Sequence, residues 1–169
     1  MNRRIPGGEL PEDPLAALYD EHGARLYRYA VLLLADAAAA EDALQESFCR
    51  LARMLPKKPE VLTLAYATTV VRNECYTLLR KRRRAPASQA PLLEPASPES
   101  SEEERVMLEQ LLKGLPPEQR EVVFLKVFEG MTFQEIADLC GTSINTAASR
   151  YRYALGTLRR VLEPSVEQR

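Results

Sequence analysis

Fifteen residues near the middle of the chain, Pro86 to Ser100 (PASQAPLLEPASPES), constrain its fold more than any other feature. Pro86, Pro91, Pro95 and Pro98 lie too close together for a helix or a central strand to run through them. Each proline removes a backbone donor and fixes φ. The serines between them supply no apolar periodicity, so the segment reads as a semi-extended, flexible tether. On both sides of it, apolar residues recur at helical spacing. The chain is therefore expected to fold as two small all-α domains on a linker (residues 86–100), with short tails at 1–12 and 164–169.

The first domain, residues 13–85, reads as three helices. Asp13 and Pro14 form a start signal, a side-chain cap followed by proline in the first turn. Leu15, Leu18, Tyr19, His22, Leu26, Tyr29, Ala30 and Leu33 then mark one face. Asp36 is the expected cap of a second helix ending before Pro56, with Ala40, Ala43, Leu44, Ser47, Phe48, Leu51 and Leu55 inward. A third helix is expected from about Glu60 into the basic block Arg80 to Arg84. Its inward residues are Val61, Leu64, Ala65, Thr68, Val71, Cys75, Leu78 and Leu79.

The second domain, residues 101–163, reads as four helices. Ser101-x-x-Glu104 and Thr132-x-x-Glu135 are capping boxes. Pro116 and Pro117 open one helix, which closes at Gly130. The stretch from Thr132 to Leu139 is a short helix, a turn with Gly141 follows, and a new helix opens at Thr142 or Ser143. That helix carries arginines and no acids as far as Leu162. Helix, tight turn and basic second helix is the pattern of a helix-turn-helix whose second helix enters a DNA major groove. Ile144, Ala147, Tyr151, Ala154, Leu158 and Val161 are its expected packing face. Asn145, Thr146, Ser149, Arg150, Arg152 and Tyr153 form the opposite face. Short polar side chains there allow close approach to base edges, and Asn and Arg can contact them bidentately. Lys126, on the preceding helix, is a candidate phosphate contact.

A net charge of −1 is unusual for a nucleic-acid binder, but the charge is segregated. Residues 1–85 hold 14 basic and 11 acidic residues, residues 86–130 hold 4 and 9, and residues 131–169 hold 5 and 4. Arg80, Lys81, Arg82, Arg83 and Arg84 form one basic block, and Arg150, Arg152, Arg159 and Arg160 another. Local field governs phosphate binding more than the sum does. On the third helix Arg72, Asn73, Tyr76 and Arg80 recur at three- and four-residue steps. That pattern combines phosphate neutralisation with an aromatic face for stacking. The second helix presents Asp42, Gln45, Glu46 and Arg53, an acidic and amide-bearing face suited to a basic protein surface rather than DNA.

Several classes are disfavoured. Three separated cysteines and the single His22 give no zinc spacing, disulfide framework or catalytic triad, so no metal or cofactor is expected. His22 is expected in the core. No apolar run approaches the roughly 18 residues of a membrane span, and the N-terminus lacks a signal-peptide core, so a cytoplasmic protein without membrane insertion is expected. A stand-alone helix-turn-helix regulator, an enzyme and a helical adaptor remain the rival readings.

Four stretches together carry a family resemblance: LYDEHGARLYRYAVLLL at 18–34, AEDALQESFCRLAR at 40–53, VVRNECYTLLRKRRR at 70–84 and LPPEQREVVFLKVFEGMTFQEIADLCGTSINTAASRYRYAL at 115–155. In this order, with a linker before the last, they resemble an extracytoplasmic-function sigma factor of bacterial RNA polymerase. The resemblance implies that residues 13–85 are sigma region 2 and residues 101–163 region 4. It implies contact with core RNA polymerase through Asp42, Gln45, Glu46 and Arg53. Minus-ten recognition and melting would fall to Lys57, Lys58, Arg72, Asn73, Tyr76 and the block Arg80 to Arg84. Minus-thirty-five recognition would fall to Asn145, Thr146, Ser149, Arg150, Arg152 and Tyr153. The partners implied are core polymerase, promoter DNA (duplex and melted non-template strand) and an anti-sigma factor. The family usually has Trp where Tyr66 stands and Lys where Ala148 stands.

Overall fold

A computed structural model describes residues 13–57, 62–84 and 111–162. Six helices organise them: α1 (Pro14–Leu34), α2 (Ala37–Met54), α3 (Leu64–Arg84), α4 (Pro117–Val127), α5 (Phe133–Cys140) and α6 (Ile144–Leu162). No strand occurs among the described residues. Of the helix expected after Ser101 only 111–113 is described, as helix; the Ser101/Glu104 capping box and the linker lie outside the described residues.

The helix ends follow from capping chemistry. The Asp13 carboxylate accepts from the backbone N–H of Leu15 at 2.9 Å and of Ala16 at 3.2 Å, with Pro14 as the first helical residue. At the other end of α1, Ala35 turns the chain with φ 52°, and its N–H returns to the Val31 carbonyl at 2.8 Å. The next residue, Asp36, caps α2 by accepting from Ala39 N–H at 3.0 Å. Arg82, from the end of α3, donates to the Leu34 carbonyl and pairs with Asp36, so one guanidinium serves both ends of this short connection. Burial pushes the Asp36 carboxyl up, but the Ala39 N–H and Arg82 outweigh it and hold the carboxyl below the usual carboxylate range.

α3 starts later than the expected Glu60. Thr63 caps it, with Tyr66 N–H donating to the Thr63 hydroxyl oxygen at 3.2 Å and Ala67 N–H to its carbonyl at 2.9 Å. The inward register also differs: Ala67, Val71, Glu74 and Cys75 are buried, whereas Ala65 is exposed. Glu74 is carried inside by its ion pair with Arg50 of α2 at 2.8 Å. Tyr66 is half-buried and donates to Met54 Sδ at 3.4 Å. His22 is half-buried beside Glu21 rather than in the core.

In the N-terminal domain, Leu26, Tyr29, Ala30 and Leu33 of α1 meet Ala40, Ala43, Leu44 and Leu51 of α2 and Ala67, Val71 and Cys75 of α3. In the C-terminal domain, Val122 and Leu125 of α4 meet Ile136 and Ala137 of α5 and Ala147 of α6. These two sets are continuous: α4 packs on α1, and Tyr29 stacks on Phe124 with ring centroids 6.0 Å apart. A smaller cluster of Leu112, Leu115, Val123 and Ala154 takes in Leu32 of α1. Burial of this apolar surface is the main force holding the helices together. Ile144 and Val161, expected inward on α6, are instead 46 % and 54 % exposed, because α6 packs through Ala147 and Ala154. Among the described residues no helix is long and apolar enough to cross a membrane.

Candidate nucleic-acid interface

The geometry of α5, its turn and α6 is dictated locally. Thr132 and Glu135 form the reciprocal capping box: the Thr132 hydroxyl oxygen accepts from Glu135 N–H at 3.2 Å, and the Glu135 carboxylate accepts from Thr132 N–H at 2.7 Å. The Thr132 N–H, together with the Thr132 hydroxyl donating to the same carboxylate at 2.8 Å, holds the exposed Glu135 carboxyl below its usual range. α5 ends at Gly141, whose φ of 61° lies in the left-handed region that glycine adopts without strain. Thr142 N–H then donates to the Ala137 carbonyl at 2.9 Å, closing the turn. Ser143 caps α6, its hydroxyl oxygen accepting from Thr146 N–H at 3.0 Å.

α6 separates two faces. Ala147 and Ala154 are fully buried, and Tyr151 packs edge-on against Phe133 of α5 at 5.6 Å. On the other side Asn145 and Arg152 are exposed and Tyr153 is 67 % exposed. Thr146, Ser149 and Arg150 are half-buried at the edge of that face. The Thr146 hydroxyl lies 2.8 Å from that of Ser143, and Arg152 Nη2 donates to the Ser149 hydroxyl at 3.3 Å. Lys126 is turned inward, donating to the Met131 carbonyl at 3.1 Å with its ammonium over the Phe133 ring, so in this structure it braces the start of α5.

The polar residues of α3 differ in exposure and in the partners they engage. Asn73, Arg80, Lys81, Arg83 and Arg84 are exposed; Arg80 donates to the Thr77 hydroxyl, and Arg83 lies 3.9 Å from Glu118. Arg82 is held by Leu34 and Asp36. Arg72 and Tyr76 face Glu121 of α4, a carboxylate with no solvent exposure. Lys57 is exposed just after α2, and Lys58 lies outside the described residues.

On α2, Asp42 and Gln45 are exposed, and Glu46 accepts from Arg50 at 3.3 Å and from Arg53 at 3.0 Å. These residues line one solvent-facing strip, as their spacing requires. Beside it, Tyr19, Tyr27, Leu44 and Phe48 wall a groove of about 850 Å³ between α1 and α2, with Gln45 and Cys49 at its edge.

Two buried charged residues were not legible as special. Glu121 and Arg120 sit in the run PEQREVVFLKV, where they resemble the solvent side of an amphipathic helix. Arg120 instead donates to the carbonyls of Leu32 at 2.8 Å, Lys113 at 3.1 Å and Leu115 at 3.0 Å, and Glu121 accepts from residues 45 to 92 positions away. No local pattern announces partners that distant.

Residues 18–85 match the family "Sigma-70 region 2", and residues 105–158 match "Sigma-70, region 4". The chain is 32 % identical to the ECF RNA polymerase sigma factor SigL of Mycobacterium tuberculosis over 95 % of this chain and 96 % of that protein. It is 31 % identical to the RNA polymerase sigma factor CarQ of Myxococcus xanthus, covering 89 % of this chain and 90 % of CarQ. In fold it resembles the sigma factor RpoE of Bartonella quintana, solved with the anti-sigma factor NepR (TM-score 0.73, 24 % identity, covering 89 % of this chain and 98 % of that one). A similar likeness holds for CnrH, solved with the cytosolic domain of CnrY (TM-score 0.64, 22 % identity, covering 90 % of this chain and 89 % of that one). A match to both regions sets the chain apart from a stand-alone helix-turn-helix regulator. The chain belongs to the extracytoplasmic-function family of RNA polymerase sigma factors, non-catalytic subunits that act in promoter recognition and transcription initiation.

Proposed function

We propose that the two domains divide the promoter between them. α6 enters the major groove of the minus-thirty-five element, reading bases with Asn145, Thr146, Ser149 and Arg150 and holding the backbone with Arg152 and Tyr153. The observation that carries this reading is the segregation of α6: a face of small buried residues, Ala147 and Ala154, seats the helix, leaving Asn145, Arg152 and Tyr153 to solvent. Contacts of Asn and Arg with base edges and phosphates are those such a helix makes.

α3 and the segment before it serve the minus-ten element. Arg72, Asn73, Tyr76, Arg80, Lys81, Arg82, Arg83 and Arg84, with Lys57 and Lys58, neutralise phosphates of the melted non-template strand and offer an aromatic face to unstacked bases. Melting is then a matter of binding the open form better than the duplex; unstacking a base costs a few kcal/mol, and the protein's contacts offset it. Asp42, Gln45, Glu46 and Arg53 of α2 dock on core polymerase. The protein works in the cytoplasm, where that partner resides. An anti-sigma factor is its expected antagonist, by analogy with RpoE and NepR.

The test is reconstitution. Sigma-free core polymerase, the purified chain and fragmented DNA from its own genome should yield transcripts with defined start sites. Replacing Arg150 and Arg152 together by Ala should lower that transcription at least about tenfold, as lost base and phosphate contacts worth 1–3 kcal/mol each imply. Reversing Asp42 and Glu46 to Lys should abolish holoenzyme assembly without loss of helix content. Normal transcription by either variant refutes the corresponding assignment.

A further inference from the structure

Glu121 is a buried charge whose side chain is fully engaged. It lies on α4, in the C-terminal domain, and is wholly buried. All the donors it faces come from the N-terminal domain. Arg72 donates with Nε to Oε1 at 2.7 Å and with Nη2 to Oε2 at 3.1 Å. The Tyr76 hydroxyl donates to Oε2 at 2.7 Å, and the Tyr29 hydroxyl to Oε1 at 2.5 Å. Four donors fill the acceptor capacity of one carboxylate. The Arg72 guanidinium also lies 4.4 Å from the centroid of the Tyr76 ring, so these two groups form a single recognition unit.

A fork of two parallel N–H donors on an arginine fits a carboxylate and a phosphate equally well. Arg72 and Tyr76 are also the residues assigned above to the DNA strand at the minus-ten element. From this we propose that Glu121 is an internal stand-in for a nucleic-acid phosphate, which closes the chain on itself and masks its minus-ten surface until a partner separates the two domains. The proposal rests on the reading of α3 as a strand-binding helix.

Charge outside the pocket supports the closure. Further opposite-sign contacts cross the same seam: Arg25 with Glu129, and Arg83 with Glu118 at 3.9 Å. Arg120, next to Glu121, donates to the Leu32 carbonyl near the end of α1 at 2.8 Å. Such a seam suits reversible opening. Deleting one partner of a buried pair strands the other, but parting the domains lets water reach both at once. Free protein is then a poor DNA binder because its own acid occupies the site, and a partner that holds the two domains apart releases it.

The experiment uses the full chain and two readouts. Small-angle X-ray scattering gives the radius of gyration, and fluorescence anisotropy gives the affinity for a labelled single-stranded oligothymidylate of about 20 nucleotides, a length several site sizes can occupy. Glu121→Ala and the isosteric Glu121→Gln should both enlarge the particle and tighten oligothymidylate binding. If the closed form outweighs the open by about ten to one, the gain is about tenfold. Far-UV circular dichroism selects the variant that keeps its helix content, and the Gln form is read if the Ala form does not. The exchange Glu121→Arg with Arg72→Glu restores the pair in reverse; it should return the particle to wild-type size and abolish the gain in binding. A wild-type radius of gyration in both single variants overturns the latch and leaves the reading of α3 standing. An enlarged particle with unchanged oligothymidylate affinity overturns the reading of α3, and the proposal with it.

Discussion

The same chemical change, glycine to alanine, should act with opposite sign at two positions of the helix-turn-helix, one in its turn and one inside its second helix. At both Gly141 and Gly156 an added Cβ meets nothing within 4 Å, so sterics with neighbours do not decide the outcome. The backbone does. Gly141 has φ 61° and ends α5, where its N–H and that of Thr142 return to carbonyls of the last turn. An L-residue with a Cβ costs roughly 1–2 kcal/mol there, partly offset by a stiffer unfolded chain, so the expected net loss is about 1 kcal/mol. Gly156 lies inside α6 with exposed surroundings. Alanine there recovers the helix-propensity deficit of glycine, a gain of about 0.5–1 kcal/mol. For a chain of this size each kcal/mol moves the melting temperature by about 2–4 °C. Gly141→Ala should therefore melt about 3 °C lower and Gly156→Ala about 2 °C higher, followed by far-UV circular dichroism in matched buffer. Gly141→Asn, which tolerates the left-handed region, should fall between wild type and Gly141→Ala. Equal shifts of the same sign at the two glycines would refute the argument that backbone conformation at the turn sets the cost.

Other expectations follow from capping and burial. Thr132→Ala removes the capping box of α5 and should cost about 0.5–2 kcal/mol by urea denaturation. The Glu135 carboxyl is held low in the folded chain, so its contribution is present above the ordinary glutamate range and fades as pH falls through the lower folded value; Thr132→Ala should flatten that part of the stability–pH curve. Burial, followed by the charge of Glu121, pushes the thiols of Cys75 and Cys140 up to about 12, whereas Cys49 is exposed. Iodoacetamide at mildly alkaline pH should add one group to the native protein and three after denaturation, read by intact mass; rapid modification at Cys75 would contradict its burial.

Much of the architecture was legible because it depends on local chemistry. Asp13, Asp36, Thr132 and Gly141 mark helix ends through bonds made within a few residues, and those marks were correct. Period placed Ala147 and Ala154 on the seated face of α6, though it also placed there Ile144 and Val161, which are exposed, and it gave the solvent-facing strip Asp42, Gln45 and Glu46. Where a side chain's surroundings come from distant elements, local pattern misled or was silent. The register of α3 was read with Ala65 inward, and packing against α1 and α2 chose Ala67 and Glu74.

By itself, then, the chain's order of residues indicated seven helix-forming stretches, six of which stand as whole helices among the described residues, most of their caps, a helix-turn-helix, a segregation of charge suited to nucleic acid and the motifs that resemble a sigma factor. These depend on contacts within one or two turns and on family motifs of fixed spacing. Only the tertiary structure decided that Arg82 would brace α1 against α2 and that Arg72, Tyr76 and Tyr29 would converge on Glu121. A buried charge is tolerated where several partners reach it at once, and those partners come from two helices, α1 and α3, that meet α4 only after the chain has folded.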